Sequence, residues 1–133
     1  MALDPAAPAH EAIVAILLLA MVSDGRVKPL EDEVLHAALN RSRSLSCLGE
    51  KGLRALEGRV ASGLSDVTLA AAAANVPDEL RLPLFAQALD MLLADGELSE
   101  SEADFVNGLI IHLNINRHDA EPILDVLAVK NRL

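Results

Sequence analysis

One short phrase occurs twice in this chain. Asp24-Gly25 is followed by Glu31, and Asp95-Gly96 is followed by Glu102, so the same spacing recurs seventy-one residues further on. In each copy an apolar run leads into Asp-Gly, and a short polar bridge leads into a second segment whose apolar residues recur at helical intervals. Each copy therefore predicts a hairpin of two helices joined by an elbow.

The two copies also correspond outside the phrase. Shifted by the same offset, apolar positions superpose along the second helix: Val27 on Leu98, Val34 and Leu35 on Phe105 and Val106, Ala38 and Leu39 on Leu109 and Ile110. Two long copies do not make a solenoid, which stacks at least three short units. We expect a compact bundle in which two pseudo-symmetric helical hairpins bury matching faces.

Composition places the chain in the all-α class. Hydrophobic residues make up 52% of it, yet only Phe85 and Phe105 are aromatic, so Leu, Ile, Val and Ala must fill the interior. Ala and Leu are the strongest helix formers, and alternating clusters of β-branched residues are absent. Because 133 residues is the usual size of one domain, we expect a single helical domain over 1–133, with residues 1–8 frayed.

Periodicity and cap residues predict about seven helices, at 8–23, 29–40, 50–62, 66–75, 78–95, 100–113 and 117–130. Ser65 is the expected N-cap of the fourth, and Ser99 with Glu102 predicts a capping box at the start of the sixth. Pro83 is expected to kink the fifth or to separate its first turn. The predicted inward positions of the third helix are Leu53, Leu56, Val60 and Leu64, and those of the seventh are Ile123, Leu124, Leu127 and Ala128.

The formal net charge of −9 narrows the range of partners. Cationic contacts supply most of the affinity for a phosphate backbone, so an acidic chain argues against nucleic-acid binding. It favours a divalent cation or a basic protein partner, unless the acidic residues only keep a small apolar protein soluble. The stretch from Arg41 to Arg59 is locally basic, and the sequence does not assign it a partner.

Two features bear on the cellular compartment. The apolar run at 12–22 is too short for a bilayer crossing, which needs about 20 residues, so no membrane insertion is expected and the run is interpreted as a buried central helix. A single cysteine, Cys47, has no partner for an internal disulfide, which suits a reducing cytosol. We therefore expect a cytoplasmic protein.

Each repeated Asp is predicted at the carboxyl end of a helix, where the last carbonyls disfavour a carboxylate. Asp24 and Asp95 could accept N–H bonds from the next helix while Glu31 and Glu102 complete capping boxes. Alternatively, these four carboxylates supply oxygen ligands to a divalent cation, and Ca²⁺ accepts irregular oxygen sites more readily than Mg²⁺. A basic side chain of a partner is the third arrangement. The spacing is not that of an EF-hand loop.

Catalysis has little support in the sequence. Glu33 and His36 have the Glu-x-x-His spacing of di-iron bundles, which need that pair twice, but the second copy offers Asp104 and Asn107 instead. No nucleophile motif accompanies the scattered histidines, and no phosphate-binding glycine loop occurs. We expect a protein that is not an enzyme.

At the repeated phrase the chain resembles the tellurite-resistance protein B (TerB-like) family. The family pattern is an apolar helix, Ala-Asp-Gly, a short polar bridge and a Glu that opens the next helix, in two copies. The second copy, 93–102, matches closely, whereas the first has Ser23 in place of Ala and a basic bridge with Arg26 and Lys28. The resemblance covers residues 10 to 130.

This resemblance implies an all-helical fold of about seven helices and an acidic face that binds divalent cations, Ca²⁺ in particular. The implied ligands are Asp24, Glu31, Asp95 and Glu102. It further implies a non-enzymatic binding module of a stress-response assembly. The competing hypothesis is a structural protein–protein adaptor, in which the repeated Asp and Glu residues only cap helices.

Overall fold

The structure, a computed structural model, describes residues 8–23, 45, 48–93 and 98–131. That part of the chain contains helices and no strand, so the predicted all-α class is confirmed. Its elements are α1 (Pro8–Met21), α2 (Gly49–Ser62), a 3₁₀ turn (Leu64–Asp66), α3 (Leu69–Ala73), α4 (Asp78–Leu93), α5 (Glu100–His112) and α6 (Arg117–Lys130). Six of the predicted helices thus have counterparts, and the predicted helix at 29–40 lies outside the described residues.

Helix α1 is the centre of the bundle. Residues 12–18, 20 and 21 of this helix are buried, and α1 contacts α2, the 3₁₀ turn, α3 and α4. A helix that is apolar on all sides must be covered on all sides, which explains why four elements surround it. The interpretation of the apolar run as a buried central helix is confirmed. Within the described ranges, no helix combines the length and the hydropathy needed to cross a bilayer.

Helix α2 follows the predicted stripe. Leu53, Leu56 and Val60 are buried, Leu64 is half-buried against the core, and the helix ends at Gly63. These apolar side chains recur every three or four residues, so one face of α2 packs on α1, while Lys51, Arg54 and Arg59 are exposed.

The predicted start of the fourth helix was wrong. A 3₁₀ turn occupies Leu64–Asp66, Val67 is extended, and Thr68 rather than Ser65 is the N-cap, its Oγ1 accepting from the Ala71 N–H at 3.1 Å. Leu64 and Val67 both pack against the core. In a 3₁₀ turn, residues three apart lie on the same side, so burying this pair favours the tight turn over an early α-helix.

The short helix α3 packs closely because its side chains are small. Ala72 and Ala73 are buried, and α3 contacts both α1 and α5. On the α5 side, a Cβ placed on Gly108 would lie 3.0 Å from the Leu69 side chain. Small residues, the alanines of α3 and Gly108 of α5, let the two helices approach.

Helix α4 runs from Asp78 to Leu93 without interruption, so Pro83 does not separate a first turn. Its buried side chains include Phe85 and Leu89, which are both fully covered. Helix α4 contacts α1, α5 and α6 and therefore joins the central helix to the carboxyl-terminal part of the described chain. The hairpin predicted for the second copy is present as the α4–α5 pair. The partner helix in the first copy lies outside the described residues.

Helix α6 has the predicted bounds, but one of its inward positions is wrong. Ile123, Leu124 and Leu127 pack against the core, whereas Ala128 is exposed. The buried stripe begins one turn earlier, at Ala120, and continues from Leu127 to the half-buried Asn131. Helical spacing of three and four residues leads from 124 to 127 to 131, which leaves Ala128 facing solvent.

Candidate functional site at the helix elbows

The first elbow begins where α1 ends. The Ala20 carbonyl accepts two hydrogen bonds from Ser23, one from Oγ at 2.7 Å and one from the main-chain N–H at 3.3 Å. The Val22 N–H donates to the Leu18 carbonyl at 3.2 Å. Ser23, where the family pattern has Ala, therefore satisfies a helix-terminal carbonyl just before Asp24. Asp24 itself lies outside the described residues.

The second elbow is described on its α5 side. Ser99 is the N-cap of α5, and its Oγ accepts from the Glu102 N–H at 3.2 Å. The Glu102 carboxylate reaches back, and its Oε1 accepts from the Ser99 N–H at 2.9 Å. The predicted capping box is confirmed. Two N–H groups that the helix cannot satisfy internally are thus paired by side chains.

Glu102 is unusual in its burial. Only 9% of the residue is exposed, and within the described ranges it is the one charged residue that is buried. Helix N-termini stabilise a carboxylate through the partial positive charge of their free N–H groups. Both Glu102 and Glu100 lie in the first turn of α5, where this charge acts. Within those ranges, no Lys, Arg or His forms an ion pair with Glu102, and its Oε2 has no hydrogen-bond partner.

The structure leaves the predicted metal set open. Of the four predicted ligands, Glu102 is described, whereas Asp24, Glu31 and Asp95 lie outside the described residues. The parts of the chain that are described contain no group of three or more His, Cys, Asp and Glu residues that could hold a metal ion. Glu102 is thus assigned a capping contact, and convergence of the four carboxylates remains a prediction.

Sequence reasoning missed Arg81. From α4, its Nε donates to the Val76 carbonyl at 3.1 Å, its Nη1 to the Leu113 carbonyl at 3.1 Å and its Nη2 to the Ala73 carbonyl at 3.4 Å. Asp78 Oδ1 lies 3.3 Å from Nε. The sequence feature that could have drawn attention to it is that Arg81 is the single basic residue of α4. Its contacts are structural and do not form a catalytic group.

The sequence also gave no indication of a cleft between α1, α2, the 3₁₀ turn and α3. Its volume is about 340 Å³. Alanine and valine side chains form the floor, and Glu11, Arg59, Asp66 and Asn75 lie on the rim. The Arg59 guanidinium is 3.9 Å from the Glu11 carboxylate. The cleft exists because small residues on α1 and α3 do not fill the space between these elements.

The described part of the chain is a bundle of helices, in which the glutamate of the second Asp-Gly phrase, Glu102, is buried in a capping box. These features define the class as a small helical module. The family model described as tellurite resistance protein TerB matches residues 10–124. The chain belongs to the TerB family. Searches of curated proteins and of solved structures returned no match.

Proposed function

We propose that this TerB-family chain is a non-enzymatic, cytoplasmic binding module of a stress response, and that its repeated acidic elbows bind a divalent cation. Membership of the TerB family over residues 10–124 supports the proposal of a TerB-like binding module. The observation that carries the cation proposal is Glu102, a glutamate residue that is 9% exposed and has no basic partner among the described residues.

The physical argument concerns the cost of burying a charge. A carboxylate removed from water needs a counter-charge or several hydrogen bonds to offset the hydration it loses. At Glu102 the described contacts supply one hydrogen bond to Oε1 and the field of the α5 N-terminus. Oε2 has no described partner and is a suitable oxygen ligand. Capping through one oxygen and metal binding through the other are compatible.

Calcium is the cation that this chemistry fits best. Carboxylate oxygens are hard ligands, and Ca²⁺ tolerates irregular sets of six to eight such oxygens, whereas Mg²⁺ demands a near-octahedral arrangement. The proposed ligands are Asp24 and Glu31 in the first elbow and Asp95 and Glu102 in the second. Arg26 and Lys28 add positive charge to the first bridge, so we expect the second elbow to bind more tightly.

The competing function is a structural adaptor that docks a basic protein partner. The support for this function is also Glu102, because the hydrogen bond to its carboxylate and the one from its main-chain N–H to Ser99 are both those of a helix cap. In that case the repeated acids set the angles between helices, and the acidic surface attracts the partner.

Calcium titration by isothermal calorimetry distinguishes the two functions. Glu102→Gln keeps the capping geometry, because Gln also serves at this position, but removes the ligand charge. Ser99→Ala removes half of the cap and keeps the carboxylate. We expect Glu102→Gln to weaken calcium binding about tenfold or more while Ser99→Ala retains most of it, and Asp24→Ala with Asp95→Ala to abolish it.

Two outcomes would reject the cation proposal. One is that titrating calcium into the wild-type protein releases or absorbs no heat of binding. A magnesium titration and the melting temperature with and without calcium check this result. The other is a heat of calcium binding that is unchanged in the variant lacking both the Asp24 and the Asp95 carboxylates. Equal destabilisation of that variant with and without calcium would favour the adaptor.

A further inference from the structure

We propose that the cleft between α1, α2, the 3₁₀ turn and α3 is a docking site for a lysine-bearing segment of a partner protein. This site is separate from the elbows and does not depend on cation binding. It combines an apolar floor with a rim that carries both carboxylates and hydrogen-bond donors.

The floor fits the stem of a long side chain. Ala12, Ala15, Val60 and Ala72 are buried beneath it, and Ala71 forms part of an exposed wall. A volume of about 340 Å³ lies at the small end of the range for ligand pockets, so it accommodates a side chain with adjoining backbone but not a helix. A four-carbon stem would cover this apolar surface while its charged end stays at the rim.

The rim selects a cationic end. The Asp66 carboxylate makes no hydrogen bond or ion pair with the described residues, although its main-chain N–H donates to the Gly63 carbonyl. Among the described residues, Glu11 is held only by a 3.9 Å contact with Arg59. Both members of that pair are about half exposed, with side-chain exposures of 54% and 49%, so an incoming ammonium group can exchange with the guanidinium. The overall charge of −9 disfavours an anionic ligand and attracts basic partners.

The mixed chemistry of the rim favours a peptide over a free amine. A peptide segment offers carbonyl acceptors and N–H donors on both sides of its lysine. Arg59 and Asn75 can donate to those carbonyls, and the Asn75 carbonyl oxygen can accept from an N–H. A free polyamine carries donors and no acceptor, so it would offer the displaced Arg59 guanidinium no hydrogen-bond partner.

Chemical-shift titration of the ¹⁵N-labelled full chain tests this proposal with matched probes. Acetyl-Ala-Lys-Ala-amide is compared with the same peptide containing norleucine, which lacks the ammonium group, with the glutamate peptide and with spermidine. We expect the lysine peptide to shift the amides of Val60, Ala71 and Ala72 with roughly millimolar affinity, as is usual for so few contacts. The other three probes should bind more weakly at these amides.

Two pairs of variants locate the contact. Asp66→Asn should weaken binding of the lysine peptide about two- to fivefold, the loss expected for one exposed ion pair, while Asp104→Asn on the exposed α5 surface should not. Ala71→Leu should fill the cleft and abolish binding, whereas Ala70→Leu, an exposed neighbour outside the cleft, should leave it intact. Unchanged spectra elsewhere confirm that each variant is folded.

Several results would overturn the docking proposal. If the norleucine peptide binds as tightly as the lysine peptide, the cleft is only an apolar pocket and does not recognise the ammonium group. If spermidine binds more tightly than the lysine peptide, the cleft is a site for free amines. The proposal also fails if no probe shifts these amides, or if Ala70→Leu and Ala71→Leu have equal effects. A negative result here leaves calcium binding at the elbows unaffected, so the two proposals fail independently.

Discussion

The Nη1 atom of Arg81 donates to the main-chain carbonyl of Leu113 at 3.1 Å, although the two residues are thirty-two positions apart in the chain. Leu113 is the C-cap of α5, and a second nitrogen of the same guanidinium reaches the carbonyl of Ala73, the last residue of α3. One cation thus lies against the negative ends of two helices. Arg81 holds α3, α4 and α5 together through charge-assisted hydrogen bonds.

Replacing Arg81 by Met should therefore lower the free energy of unfolding by about 2–4 kcal/mol, because three carbonyls lose a charged donor. Arg81→Lys should recover only part of this loss, since an ammonium group cannot match the planar fork. Urea denaturation measures both. Arg54→Met is the control, because Arg54 makes an exposed pair with Glu50 worth about 0.5 kcal/mol at most. Equal losses at 54 and 81 would contradict the assigned role.

The capping box of α5 predicts unequal effects at its two members. Ser99→Ala should cost about 1 kcal/mol, because the Glu102 N–H loses its side-chain acceptor. Glu102→Gln should cost less than that in the absence of calcium, since glutamine can still accept from the Ser99 N–H. Thermal unfolding followed by circular dichroism gives the comparison. A larger loss for Glu102→Gln would mean that its negative charge is itself needed for the fold.

The corrected start of α3 yields a second capping prediction. Thr68→Ala should destabilise the protein by about 1 kcal/mol, because it removes the acceptor of the Ala71 N–H. Ser65→Ala, in the preceding 3₁₀ turn, should change the unfolding free energy by less than about 0.5 kcal/mol, as is usual for surface positions. Measured side by side in urea, the opposite ranking would restore Ser65 as the cap.

Replacing a glycine inside a helix by alanine should stabilise the protein where the added methyl group has room. Gly58 lies in α2 with no atom within 4 Å of an added Cβ, so Gly58→Ala should raise the unfolding free energy by about 0.5–1 kcal/mol. At Gly108 the same change brings Cβ to 3.0 Å from the Leu69 side chain, which must move. Gly108→Ala should gain less or destabilise. A larger gain at Gly108 would show that α3 and α5 are not in close contact.

The alanines of α3 predict how tightly it is held against its neighbours. Ala73 is fully buried, so Ala73→Leu should cost about 1–3 kcal/mol through overpacking. Ala70 is exposed on the same helix, and Ala70→Leu should be nearly neutral. Differential scanning calorimetry on both variants checks the ranking. Similar melting temperatures for the two would mean that α3 does not pack against α1 and α5 as described.

The candidate site was predictable only in part. The Ser99–Glu102 box was predictable because both partners lie within one turn and the pattern is local. Whether Asp24, Glu31 and Asp95 lie near Glu102 depends on how two hairpins seventy-one residues apart pack, and three of these residues lie outside the described chain. The cleft beside Asp66 could not be predicted, because its walls come from four elements.

By itself, the sequence determined the all-α class, the central position of α1 and the bounds of α6, because helical periodicity and end signals act over a few neighbouring residues. Only the tertiary structure decided that Arg81 would join two helix ends, that Asn131 rather than Ala128 would continue the stripe of α6, and that Thr68 rather than Ser65 would cap α3. Each of these choices depends on which distant surfaces meet, since burial against a neighbour outweighs the small energies of local preference.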